Sequence, residues 1–151
     1  MKKQYYIAYG SNMNLEQMER RCPTAKVVGK AVLKDYEVVF RGGVTGVATI
    51  ERKIGSEVPV LVWDIQPSDE KSLDAYEGYP HLYRKEYIRA NVGGETVYLM
   101  AYVMNGGRTL APPSTYYYEV IKQGYKSAGI DVSILDTFVE KTEYRISCRK
   151  H

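Results

Sequence analysis

Six runs rich in β-branched and aromatic residues follow one another along the chain: QYYIAYG, KAVLKDYEVVF, GVATIER, VPVLVWDIQ, YRKEYIRANV and TVYLMAYVM. Side chains of these types suit a pleated, half-buried surface. Turn-forming stretches (RGG, KIGSE and NVGGE) punctuate the runs, and VGGETVYL predicts a hairpin between residues 86 and 104. Strands joined by tight turns pair antiparallel, whereas parallel pairing needs a long crossover. The order therefore predicts an α+β fold: a small, mostly antiparallel, strongly curved sheet closing as a β-barrel flanked by helices. It excludes a doubly wound nucleotide fold. Without repeats or a dividing linker, residues 1–151 read as a single domain.

Helix signals are fewer. Asn14 is placed to cap LEQMERRC, which Pro23 stops. Ser68, followed by Asp69 and Glu70, is a suitable start for DEKSLDAYEG, because acidic residues favour a helix N-terminus. Ser114 plays the same part for TYYYEVIKQGYKSAG, where Tyr117, Val120, Ile121 and Tyr125 share one face. In SILDTFVEKT, Ile134, Leu135, Phe138 and Val139 recur at helical spacing. The basic end RISCRKH reads as a solvated tail.

Composition narrows the function. A formal net charge of +3, with scattered Lys and Arg, is too small for phosphate affinity, so no nucleic-acid partner is expected. Two cysteines, Cys22 and Cys148, are too few for a disulfide framework. The start MKKQYYIAYGS lacks an apolar leader core, and no run reaches membrane-spanning length. A cytoplasmic protein without a membrane partner is expected; nothing assigns an oligomeric state. Neither a Walker loop nor GxGxxG occurs, and with only His81 and His151 a metal cluster or Ser-His-Asp triad lacks material. No metal and no cofactor are predicted. His81 reads as a solvated loop residue, and the cysteines as packing or surface residues. Fifteen tyrosines against two phenylalanines and one tryptophan supply many aromatic surfaces ending in a hydroxyl, which needs a partner when buried.

Two stretches carry chemistry. YGSN lies between a strand and a helix, where Gly10 permits close backbone approach and the following amides can converge on an anion. Such a turn also arises for purely conformational reasons. In LDAYEGYPHLY, Glu77 closes a short helix before Gly78, so its charge opposes the C-terminal dipole. Shielded from water, that carboxyl would have a raised pKa suited to a base; exposed, it is an ordinary glutamate before a helix-ending glycine.

Together, YGSNM, GVATI, VWDIQPSDEKSLDAYEG, YRK and PPSTYYYEVIKQGYKSAGI stand in an order and spacing that resembles the γ-glutamylcyclotransferase family and its AIG2-like branch over nearly the whole chain. The resemblance implies a small β-barrel flanked by helices and release of 5-oxoproline from a small-molecule γ-glutamyl substrate. It also implies that Tyr9, Gly10, Ser11, Asn12 and Met13 cradle the substrate and that Glu77 is the catalytic acid/base. Tyr83 and Tyr117 stand at positions of pocket tyrosines, with Tyr116 and Tyr118 flanking the latter. Asn12 is unlike the glutathione-specific relatives, and GYPHLY is closer to the AIG2-like branch, in which γ-glutamylamines are alternative substrates. A non-catalytic barrel holding a small ligand is the reading from another class; an intact Glu77 beside an intact YGSN weighs against it.

Overall fold

A computed structural model describes residues 4–149. Six strands, β1 (Gln4–Ala8), β2 (Lys26–Gly42), β3 (Gly46–Ile65), β4 (Tyr83–Val92), β5 (Glu95–Met104) and β6 (Thr109–Leu110), form one sheet in the order β4-β5-β1-β3-β2-β6. Every strand pair is antiparallel except β1 with β5. The sheet curls into a half-barrel whose flanks β2 and β4 approach each other. Four helices accompany it: α1 (Leu15–Arg21), α2 (Pro67–Glu77), α3 (Thr115–Ser127) and α4 (Val132–Arg149). The α+β, mostly antiparallel architecture expected from the strand order is thus present.

The β4–β5 hairpin turns at Gly93 and Gly94, both with positive φ (59° and 88°), a conformation that favours glycine. KIGSE does not separate two strands. The GVATIER and VPVLVWDIQ runs form the single strand β3, because β2 pairs with both sides of the excursion: Tyr36 faces Arg52 and Lys34 faces Glu57. Residues 53–56 bulge out opposite Asp35, whose Oδ1 accepts a hydrogen bond from the Gly55 amide at 3.0 Å.

Asn14 caps α1, its Oδ1 accepting from the Gln17 amide at 3.1 Å, and Ser114 caps α3 through the Tyr117 amide, also at 3.1 Å. Ser68 is not a cap. Gln66 takes that place in a reciprocal pairing with Asp69, leaving Pro67 at the first helical position, where its missing amide costs nothing. Nor is RISCRKH a free tail: α4 continues through Arg149, while Lys150 and His151 lie outside the described residues. Leu135 and Phe138 of α4 are buried, and the Thr142 hydroxyl accepts from the Phe40 amide at 3.4 Å.

One continuous core joins Ile7, Phe40, Val60, Val62, Leu99 and Met100 of the sheet to Ile121 and Tyr125 of α3. The Ser11–Met13 3-10 turn after β1 packs on α3 at Gly124. A Cβ there would meet the Met13 carbonyl carbon at 2.7 Å and the Asn14 nitrogen at 2.8 Å. Gly124→Ala is therefore expected to lower stability, although alanine is the better helix former by about 1 kcal/mol. Overpacking costs about 1–3 kcal/mol, more against backbone than against a mobile side chain, so a net loss of about 1–2 kcal/mol should appear in denaturant titrations.

Candidate active site

Where β1 ends, the chain turns through Gly10 into Ser11–Met13 and forms one wall of a cavity of about 200 Å³. The last turn of α2, with Tyr76 and Glu77, also lines it. The remaining lining comes from Tyr6 and Tyr9, Val47 and Ala48 of β3, Leu82 and Tyr83, Tyr102 of β5 and Tyr117 of α3. Of the candidate residues, Tyr9, Gly10, Ser11, Asn12, Glu77, Tyr83 and Tyr117 are thereby brought together. Met13 is not among the lining residues. It is fully buried behind the turn, and its amide is spent on the Gly10 carbonyl at 3.0 Å. The first two amides of such a turn, those of Ser11 and Asn12, have no acceptor within it.

The glycine at position 10 is explained by crowding. A Cβ there would stand 3.2 Å from the Ala48 Cβ and 3.3 Å from the Tyr117 hydroxyl. Ala48 in turn is gripped from two sides. The Tyr117 hydroxyl accepts from its amide at 3.0 Å, and the Tyr83 hydroxyl donates to its carbonyl at 2.7 Å. Burial holds the Tyr83 and Tyr117 phenols well above their ordinary pKa, so both stay neutral. Since the Tyr117 oxygen accepts from Ala48, its own proton is free to donate into the cavity. The flanking tyrosines go elsewhere: Tyr116 is exposed, and Tyr118 donates to Asp136 of α4.

Glu77 is the last residue of α2, and Gly78 ends the helix in the left-handed conformation at φ 65°. The Tyr79 amide closes this turn on the Asp74 carbonyl at 2.9 Å. The Glu77 residue is half-buried, opening toward the cavity. Its dense surroundings nevertheless strip the carboxyl of water, and this desolvation pushes its pKa from 4.5 up to about 7; the Arg21 guanidinium opposes the rise. A carboxyl so placed exchanges protons near neutral pH.

Sequence reading overlooked Tyr6, Tyr76, Tyr102 and Arg21. Alternation along QYYIAYG marked Tyr6 as facing one side of a strand, but not which side the cavity would occupy. The Tyr6 hydroxyl accepts from Asn12 Nδ2 at 2.8 Å, the Tyr102 hydroxyl donates to Asp74 at 2.6 Å, and the Tyr9 hydroxyl donates to the Tyr102 carbonyl at 2.5 Å. Arg21 donates to Asn12 Oδ1 and lies 3.5 Å over the Tyr76 ring, whose hydroxyl shares a 2.9 Å hydrogen bond with Ser11 Oγ. His81 is exposed, as expected. Cys22 is buried with its thiol pushed up to about 11 by burial, so it is a packing residue, and Cys148 is exposed. Among the described residues, no three His, Cys, Asp or Glu side chains are grouped to hold a metal ion, and no helix is long and apolar enough to cross a membrane.

Comparison with known proteins gives this geometry a context. Gamma-glutamylcyclotransferase from Homo sapiens is 31% identical over 151 aligned positions, covering 92% of this chain and 80% of that protein. The Mus musculus protein of the same name is 32% identical, covering 93% and 80%. A solved structure of a gamma-glutamyl cyclotransferase superposes with a TM-score of 0.79 at 28% identity, covering 94% of this chain and 87% of that one. The family model for "Gamma-glutamyl cyclotransferase, AIG2-like" matches residues 6–125, from the cavity face of β1 through α3. A cavity that joins the YGSN turn to Glu77 within that matched span, and similarity over nine-tenths of the chain, lead to one conclusion: the chain belongs to the gamma-glutamyl cyclotransferase, AIG2-like family.

Proposed function

We propose that this chain, acting as one domain, is a γ-glutamylcyclotransferase that releases 5-oxoproline and a free amine or amino acid from a small γ-glutamyl compound. The observation that carries the reading is Glu77: a carboxyl whose pKa desolvation raises to about 7, in a cavity it lines together with the Gly10–Asn12 turn. The substrate's α-amine is tethered to the γ-carbonyl it attacks, so the site need only fold a flexible chain into a near-attack geometry. Glu77 takes a proton from the α-ammonium group. The freed amine attacks the γ-carbonyl carbon and the lactam C–N bond forms; Glu77 returns its proton to the departing nitrogen as the bond to it breaks, and the second proton shed by the attacking nitrogen ends on the released amine, which leaves as its ammonium form. The amides of Ser11 and Asn12, with the phenol protons of Tyr6 and Tyr117, are the donors available to the α-carboxylate and the developing oxyanion. Low cysteine usage supports a cytoplasmic location.

Glu77→Gln is expected to reduce turnover on the order of a hundredfold or more while substrate still binds, as measured by single-turnover kinetics and calorimetry. The same substitution should stabilise the fold in alkali. With its folded-state pKa raised from 4.5 to about 7, Glu77 costs stability progressively as pH climbs through that window, and the cost is complete above it. Thermal unfolding should therefore show the variant more stable than the parent at pH 8, by on the order of 1–3 kcal/mol, and equal to it near pH 4.

Substrate chemistry separates cyclisation from hydrolysis. γ-Glutamyl-alanine should yield 5-oxoproline and alanine, with no label incorporated from water enriched in heavy oxygen. Its N-acetyl derivative, deprived of the basic lone pair, should be inert. Labelled glutamate as the main product, or brisk cleavage of the acetylated compound, would assign the protein to the hydrolases instead.

A further inference from the structure

We propose that Arg21 is a positioning residue of this site, which fixes the hydrogen-bond direction of the Asn12–Tyr6 pair and holds the Glu77 end of α2 against the Ser11–Met13 turn. This rests on the cyclotransferase reading for its kinetic consequences, but not for its geometry. Arg21 lies at the end of α1, outside the cavity lining, and its guanidinium acts in three directions. One nitrogen donates to Asn12 Oδ1, a second donates to Gln17 Oε1 at 2.8 Å, and the flat face lies 3.5 Å from the centre of the Tyr76 ring.

The first contact dictates a proton arrangement. A guanidinium has donors only, so the Asn12 atom facing it must be the amide oxygen. The Asn12 NH2 group is thereby turned to the Tyr6 hydroxyl, which accepts at 2.8 Å. A hydroxyl that accepts from Asn12 keeps its single proton for another partner, and Tyr6 lines the cavity. Without Arg21, the Asn12 amide is free to flip, and Tyr6 then donates to Asn12 instead of to the substrate. The second contact is mechanical. Tyr76 directly precedes Glu77 and remains substantially exposed (44%), so the stacked guanidinium and the Ser11 hydroxyl are what hold its ring. Lysine supplies neither the fork nor the flat face.

The third effect is charge. The titratable groups acting with Glu77 across the cavity are the phenols of Tyr6 from β1, Tyr9 just after it, Tyr83 from β4 and Tyr117 from α3, all raised by burial and therefore neutral. Arg21 supplies the charge that opposes the rise at Glu77 and so favours the ionised carboxylate.

Two variants of the full chain test this. Arg21→Gln removes charge and fork together; Arg21→Lys keeps the charge alone. Folding is monitored by circular dichroism, Glu77 ionisation by carboxyl carbon NMR in the free protein, and kcat/KM with γ-glutamyl-alanine across pH. In Arg21→Gln the Glu77 midpoint should move upward, the acid limb of kcat/KM should follow it, and kcat/KM should fall about tenfold or more. In Arg21→Lys the midpoint should stay near the parent value while kcat/KM falls comparably. The proposal is overturned if a folded Arg21→Gln keeps both its midpoint and its kcat/KM, within about twofold of the parent. Should that variant not fold, Arg21→Lys with parental kcat/KM overturns it as well. If the parent itself makes no 5-oxoproline, the cyclotransferase reading fails alone. The Glu77 midpoint in Arg21→Gln then still decides: an upward shift supports the placement of Arg21, and no shift overturns it.

Discussion

The peptide groups of Ala48 are the joint on which the cavity is hung. Ala48 pairs with Phe40 of β2 on one side, while β1 pairs only with the far end of β3, from Leu61 to Ile65. Two tyrosine hydroxyls therefore take the place of a neighbouring strand: Tyr83 from the start of β4 and Tyr117 from the first turn of α3. Backbone amides and carbonyls left unpaired in an interior are costly, so this satisfaction is a structural requirement before it is a functional one. It also anchors β3, β4 and α3 at one point and brings the Gly10 backbone against Ala48. Phenylalanine at position 83 or 117 would fill the same volume and leave those groups orphaned.

Glu77 is set against this rigid frame at some cost. Its carboxyl lies at a helix C-terminus, in surroundings that withhold water, and both conditions favour the neutral form. Below α2 the charges are satisfied differently: Lys85 reaches Glu70 at 2.5 Å and Asp74 at 3.0 Å, and Asp74 accepts from Tyr102. That ion-paired base fixes the orientation of α2, while its tip carries a carboxyl with no comparable partner. Strain concentrated in one titratable group beside a well-satisfied support is the pattern expected of an acid/base site.

The strand pattern was legible because each run carried its own chemistry. VGGETVYL gave the β4–β5 hairpin, Asn14 and Ser114 gave two helix starts, and YGSN marked the turn after β1. Reading failed where a local signal met a stronger pairing. KIGSE looks like a hairpin turn, but β2 is long enough to pair on both sides of it, so the residues bulge within one strand. Ser68 looks like a cap, but Pro67 is better placed at the first helical position, which passes the cap to Gln66. Met13 belongs to the YGSNM stretch yet turns inward, because its amide closes the 3-10 turn and Gly124 leaves room for the turn to sit directly on α3.

The sequence by itself determined which residues had chemistry to offer: a glycine-led turn, a carboxylate before a helix-ending glycine, and many hydroxyl-bearing rings. Local propensity and short-range hydrogen bonding are enough to position those features along the chain. Only the tertiary structure decided what they face. Tyr117 rather than Tyr116 or Tyr118 enters the cavity because the first turn of α3 is held on two sides, by Ala48 through Tyr117 and by Asp136 through its neighbour Tyr118. Arg21 joins the site although it lies nine positions after Asn12 on a different element. And the Glu77 carboxyl acquired a pKa of about 7 through desolvation, which depends on side chains that several separate segments pack around it and is written in no single one of them.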